Sequence, residues 1–260
     1  MEQSFTTKVT ILPLQEPLGY NHNWLTLGSC FSEHIGDRLK QSGFSICQNP
    51  FGVLFNPRSI SLSIRKLMSG ELIKHAELFQ TGSIWNHFSF SNLYSGVDTD
   101  EVINTMNQQL QQAKSHLQST SVLMLTFGTA WIYEEKESGR VVANCHKLPA
   151  QRFNRRRLTV SEIVDDFTDL INQLPAGIKI VFTVSPVRHW KDGAYENTLS
   201  KSILHLAIDE LTTLFSNSVY FPAYELVVDE LRDYRFYTED MVHPTPQAAH
   251  YIWKKFSDWC

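Results

Sequence analysis

The sequence predicts an α/β protein: one three-layer α/β/α domain with a mostly parallel central sheet and small hairpin or loop insertions. Three observations carry this. Residues 121–127 (SVLMLTF) and 178–184 (IKIVFTV) are continuous apolar runs, as a strand buried on both faces requires. Stretches with helical periodicity alternate with such runs, the pattern of parallel strands joined by crossover helices. The chain is 260 residues long and has no repeat and no low-complexity linker, which fits a single domain spanning 1–260.

The elements follow in order. Trp24-Leu25-Thr26-Leu27 is a short run ending at Gly28 and reads as a buried strand. Phe31, Ile35 and Leu39 recur every fourth residue, the stripe of an amphipathic helix, and Gly43 supplies its stop. Residues 44–47 form the next strand, and Asn49-Pro50 turns the chain. Residues 78–94 are rich in Phe, Ser, Trp, Asn and His without a clear period and read as an inserted hairpin or loop. Asp98-x-x-Glu101 is a capping box opening a helix with Val102, Ile103, Met106, Leu110, Ala113 and Leu117 inward. Residues 131–144 suggest a second hairpin, turning at Ser138-Gly139. Thr159-x-x-Glu162 opens a helix that reaches about Leu174, and Pro175-Ala176-Gly177 breaks it. A helix over about 197–215 leads to a strand near 219–221. Thr245 caps the last helix, with Pro246 at its first position and Ile252 and Phe256 inward.

Composition narrows the function classes. With 42% hydrophobic and 19% charged residues, the chain is neither disordered nor fibrous. A net charge of −4 does not suit an electrostatic nucleic-acid binder. Arg155-Arg156-Arg157 reads as a solvated or locally paired face. No apolar stretch approaches the roughly 18 residues of a membrane span. Residues 1–17 lack a basic segment followed by an apolar run, so no secretory leader is expected and the expected compartment is the cytoplasm. Of the four cysteines, Cys30, Cys47, Cys145 and Cys260, no two form a C-x-x-C pair, and no disulfide framework is expected. Cys47 reads as a buried strand residue and Cys260 as an exposed terminal thiol. No cofactor is expected.

In open α/β sheets ligands bind at the carboxyl ends of the strands. Four polar segments follow a strand or begin a helix: Gly28-Ser29-Cys30, Gly128-Thr129, Ser185-Pro186-Val187-Arg188-His189 and Asp240-Met241-Val242-His243. At a strand-to-helix turn the helix dipole lowers the pKa of Cys30, and the turn's N–H groups can hold an oxyanion. The plainer alternative has Ser29 capping the helix and Cys30 packing in the core. Pro244 holds His243 in an extended loop, where Asp240 can curl back to accept its imidazole N–H and fix the tautomer. The alternative is a capping Asp and an incidental His. Arg188 and His189 line the cleft, where Arg188 either clamps a carboxylate or phosphate or pairs with an acidic neighbour. Trp85 and His87 form a lid, an aromatic wall or plain packing. Cys145-His146 with Lys147 is a site element or a metal half-site; adjacent Cys and His rarely share one metal and no second pair has zinc spacing, so no metal is expected.

These residues resemble a family. Gly28-Ser29-Cys30-Phe31-Ser32 near the N-terminus and Asp240-x-x-His243-Pro244 before the last helix resemble the GSCFA family, within the SGNH (GDSL-like) hydrolase superfamily. The resemblance covers nearly the whole chain and includes Asn49-Pro50-Phe51-Gly52, Thr126 to Trp131, Asn144 to Lys147, Ser185 to His189 and Asp233 to Tyr237. It implies a flavodoxin-like sheet and an ester or thioester hydrolase working through an acyl-enzyme. It places the nucleophile on Cys30, with Ser29, in the superfamily's Asp position, as the alternative, and the base and its orienter on His243 and Asp240. Gly52 takes the place of an oxyanion-hole N–H donor. The third block reads Gly128-Thr129-Ala130-Trp131, without the superfamily's Asn. Thr129, Asn144, Asn56 or a backbone N–H is left to replace it, and His146 becomes a site wall. The expected partner is a small-molecule or carbohydrate-ester substrate, with no nucleic acid and no membrane. The alternatives are an acyltransferase with a carbohydrate-like acceptor and a catalytically degenerate module that binds a ligand.

Overall fold

The computed structural model describes residues 6–260; the first five, part of the stretch expected to lack a leader, lie outside the described residues. The first strand, β1 (Asn23–Gly28), runs into helix α1 (Cys30–Gln41) and then β2 (Ser45–Gln48). Helix α2 (Pro57–Ser69), a hairpin of β3 (Phe79–Thr81) and β4 (Ile84–Asn86), helix α3 (Thr99–Ser119) and β5 (Val122–Phe127) follow. A small sheet of β6 (Trp131–Glu135), β7 (Val141–Val142) and β8 (Phe153–Arg157) precedes α4 (Val160–Gln173) and β9 (Lys179–Val184). The chain ends with α5 (Gly193–Leu214), β10 (Ser218–Tyr220), a short turn α6 (Ala223–Glu225) continuing as a π-helix over Leu226–Leu231, and α7 (Pro246–Trp259).

The central sheet has five strands in the order β10-β9-β5-β1-β2, all parallel. Counted along the chain this is 5-4-3-1-2, the flavodoxin-like arrangement, and its order reverses between β1 and β5. Gly28-Ser29-Cys30 and Gly128-Thr129 lie at the carboxyl ends of these two strands, where open α/β sheets bind ligands. Side chains alternate across the sheet. Leu25, Leu27, Leu123, Leu125 and Phe127 face one core with α2 to α5, whereas Trp24, Val122 and Met124 face a second core with α1 and α7. Each fully buried Leu, Phe or Ile in these layers contributes about 1.5–3 kcal/mol.

The sheet, helices α1, α3, α4, α5 and α7 and both insertions match the sequence reading. Thr159 and Glu162 close a full capping box, while at Asp98 the carboxylate accepts the N–H groups of Asp100 and Glu101 as a simple N-cap. Three elements had no sequence counterpart. Helix α2 begins at the Asn56 cap with Pro57 in its first turn, but Ser59, Ser61 and Ser63 share its buried side and blur the apolar stripe. The hairpin expected over residues 131–144 gains a third strand, β8. Its polar FNRRR is held by ion pairs of Arg155 with Asp192, Arg156 with Glu134 and Glu162, and Arg157 with Glu196. The locally paired face expected of the triple arginine is this strand. The π-helical turn is the third. The four cysteines are free, but Cys260 is not an exposed tail: its thiol contacts Phe256 O at 2.9 Å and packs against the second core.

Candidate active site

The turn after β1 is fixed by close backbone packing. Gly28 has φ 151°, and a Cβ there would lie 2.3 Å from Thr126 O on the neighbouring strand, so no other residue fits without backbone movement. Gly28 N–H donates to Asn49 Oδ1, Gly28 O accepts from Leu54 N–H, and Ser29 N–H reaches Thr126 O. This seats Cys30 on the first helical residue of α1, half-buried. Ser29 is 1% exposed, and its hydroxyl neither caps the helix nor meets another partner. The alternative in which Ser29 caps α1 is thereby corrected, and its burial leaves Ser29 poorly placed as a nucleophile.

The expected low thiol pKa of Cys30 is also corrected. Burial pushes the thiol up, and the Glu33 carboxylate adds to this. The N–H groups of Cys30 and Phe31 at the helix start, and the Lys201 ammonium, pull it back only in part.

The last loop is built differently. Asp240 Oδ2 accepts from His243 Nδ1 at 2.6 Å, and Oδ1 accepts from the N–H groups of Val242 and His243 and from Thr238 Oγ1. These bonds hold the Asp240 carboxyl well below the usual carboxylate range, the His243 backbone N–H contributing most. Both side chains are about half exposed, 50% for Asp240 and 48% for His243. His243 Nε2 bonds to no described residue, and the ring is half exposed. Arg188 N–H donates to Val242 O at 3.3 Å, joining this loop to the end of β9. Cys30 Sγ makes no hydrogen bond to His243 among the described residues, so the fold brings Asp240 and His243 together but leaves the thiol unpaired.

Between the two halves lies a cluster that the sequence reading passed over. The first turns of α5 carry Asn197, Ser200 and Lys201 on the buried side that continues as Leu204, Ile208 and Leu211. Asn197 Oδ1 accepts His189 N–H, and Ser200 Oγ bonds Thr129 Oγ1 and the Ala130 N–H. Lys201 Nζ donates to Gly128 O at 2.7 Å and Ser185 O at 2.6 Å, clamping the ends of β5 and β9. Burial pulls the Lys201 ammonium down to about 7, Arg188 acts in the same direction, and only Cys30 opposes it. Polar residues on an otherwise apolar helical stripe were the available signal.

His189 lies beside this cluster. A Cβ built on Gly128 would sit 3.3 Å from His189 Nε2 and 3.4 Å from Ser29 Cβ, which places the imidazole and the Ser29 side chain on the same side of Gly128. Burial, with the charge of Lys201, pulls its pKa down to about 4, so the ring is neutral near pH 7.

The other sequence candidates are committed elsewhere. Gly52 N–H closes a turn onto Asn49 O at 2.7 Å, so it does not face an oxyanion. Thr129 is buried and bonded to Ser200, and Asn56 caps α2. Asn144 Oδ1 accepts His146 N–H, and the His146 ring nitrogens bond to Asn92 Oδ1 and His87 O. Asn144 and His146 therefore brace the β3–β4 insert rather than the cleft, where His87 packs against Phe90. Among the described residues no group of three His, Cys, Asp or Glu side chains is arranged to hold a metal, and no helix is long and apolar enough to cross a membrane.

No curated protein matches the chain in sequence. Among solved structures it is similar to a carbohydrate esterase family 3 protein from Talaromyces cellulolyticus, at 11% identity and a TM-score of 0.41 over 91% of this chain and 95% of that one. It is also similar to an acetyl xylan esterase, Est2A, from Butyrivibrio proteoclasticus, at 9% identity and a TM-score of 0.43 over 94% of this chain and 65% of that one. The family model of the GSCFA family matches residues 23–256, and the chain belongs to that family.

Proposed function

We propose that the protein is an acyl hydrolase acting on ester or thioester bonds through Cys30, His243 and Asp240. The observation that carries this reading is the Asp240–His243 pair: a carboxylate kept ionised orients an imidazole whose second nitrogen bonds to no described residue. His243 Nε2 takes the thiol proton as Cys30 Sγ attacks the carbonyl carbon. The tetrahedral oxyanion collapses, His243 returns the proton to the departing alcohol of an ester or thiol of a thioester, and a thioester acyl-enzyme remains. Water, deprotonated by His243, then attacks the thioester and releases the acid and the free thiol.

The oxyanion donors are the Cys30 N–H at the helix start and neutral His189, which takes the place of the Asn missing at Ala130. Because burial raises the thiol pKa, Cys30 acts by transferring its proton to His243 during attack, not as a preformed thiolate. Lys201 is a positioning residue: it fixes the strand ends and lowers the cost of negative charge on sulfur.

The test is hydrolysis of p-nitrophenyl acetate by the parent protein and by Cys30→Ala. Loss of turnover with retained folding supports the reading, and equal rates overturn it. One observation favours a second reading, a module that binds its ligand without turnover: the resting thiol is held protonated. That reading expects no hydrolysis by the parent either.

A further inference from the structure

Next to Asp240 lies a pocket of about 380 Å³, walled by the loop after β9, the π-helical turn and the loop that carries Asp240. Two guanidinium groups line it, Arg188 and Arg232, together with Trp190, Tyr234 and Tyr237. The Arg188 guanidinium carbon is 5.5 Å from the Trp190 ring centre and 5.9 Å from that of Tyr237. Neither arginine forms an ion pair with a described carboxylate. The salt bridge that was the plain reading of Arg188 is therefore not formed.

The acids that share the pocket are engaged. Asp240 accepts from His243, Val242 and Thr238, and Asp233 accepts the Arg235 N–H and lies 3.6 Å from the Arg235 guanidinium. Lys201, on which the charge of Arg188 acts, is bound to carbonyls and pairs with no described carboxylate. Arg188 and Arg232 thus line the pocket without a carboxylate bonded to either guanidinium, while Asp233 and Asp240 on the same lining are held by other donors. Trp190 and Tyr234 are 50% and 79% exposed, which leaves aromatic faces open at the rim. A guanidinium fork matches a planar anion, and exposed aromatic faces suit the apolar face of a sugar ring.

We propose that this pocket binds the acidic part of the substrate: a carboxylate carried on a sugar-sized ring, with its charge on Arg188, Arg232 at the mouth, and its ring against Trp190 or Tyr234. The proposal rests on the reading that His243, oriented by Asp240, is the catalytic base, since it places the acid in the pocket that Asp240 lines. A phosphorylated sugar offers related charge, so both are compared.

The experiment is equilibrium binding to the Cys30→Ala protein, read by tryptophan fluorescence, with glucuronate, glucose 6-phosphate and glucose as probes. Binding without turnover keeps this test separate from the catalytic reading: its failure leaves the Cys30 assignment standing, and loss of that assignment leaves the binding result intact. Glucuronate is expected to bind at least about tenfold more tightly than glucose, with that preference lost in Arg188→Met and the fluorescence change lost in Trp190→Phe. Should Arg188→Met fail to fold, the parent must show glucuronate affinity falling as salt is raised while glucose affinity does not. Equal affinity for glucose, tighter binding of glucose 6-phosphate than of glucuronate, or no binding by any of the three overturns the proposal.

Discussion

The two halves of the candidate site are held in opposite ways. The Cys30 turn is buried and fixed by the fold around it: Gly28 is pressed against Thr126, and Asn49 and Leu54 hold its backbone from two sides. The His243 loop is half exposed and holds itself, one carboxylate satisfying a hydroxyl, two backbone N–H groups and the ring across six residues. The electrostatics follow the same division. Burial raises the thiol, while local hydrogen bonds depress the Asp240 carboxyl although it lies in solvent.

The sharpest way to break this contrast is Asp240→Asn. It keeps the size of the side chain but favours the wrong imidazole tautomer, and turnover of p-nitrophenyl acetate should fall by up to about 10⁴-fold with little change in the melting temperature. Because Asp240 stays ionised down to strongly acidic pH, the acid limb of kcat/KM in the parent should not follow its titration. Gly28→Ala addresses the other half. With a Cβ 2.3 Å from a backbone oxygen, it should cost about 4 kcal/mol or more in urea unfolding, and a stable, active variant would show that the turn is looser than described.

His189→Ala should lower kcat by about 10²–10³-fold with a smaller effect on KM, as for a lost oxyanion donor. A change in KM alone would make His189 a wall of the cleft. The smallest effect belongs to Lys201→Met. Removing the ammonium should shift iodoacetamide labelling of Cys30 to higher pH, since one of the few groups lowering the thiol is gone. Stability changes with a defined sign. The folded protein holds Lys201 at about 7 against an ordinary 10.5, so between those values the unfolded chain binds more protons and the cost of burying Lys201 shrinks as pH rises. The parent should therefore gain on Lys201→Met over that window in paired urea titrations.

The same contrast explains what could be read from the sequence. The central strands were legible because burial on both faces demands unbroken apolar runs, as in residues 122–127. The pair Asp240 and His243 was legible because the loop contains its own partners within three residues. Strand β8 was not, because ion pairs rather than apolar alternation hold Arg155, Arg156 and Arg157 in place. The Cys30 thiol was misjudged because a helix start can be read locally, whereas burial depends on the whole fold. His189 was legible as a cleft residue because it follows a central strand, whereas Lys201 lies within α5, distant in sequence from Gly128, and only the sheet order joins them.

The most direct measurement of the central claim is to mix the protein with p-nitrophenyl acetate, quench in acid within the first turnovers, and locate the acetyl group by peptide mass analysis. The account predicts one acetyl group on Cys30 in the parent and in Asp240→Asn at a slower rate. An acetyl group on Ser29, or continued release of p-nitrophenol with Cys30 unmodified, would contradict it.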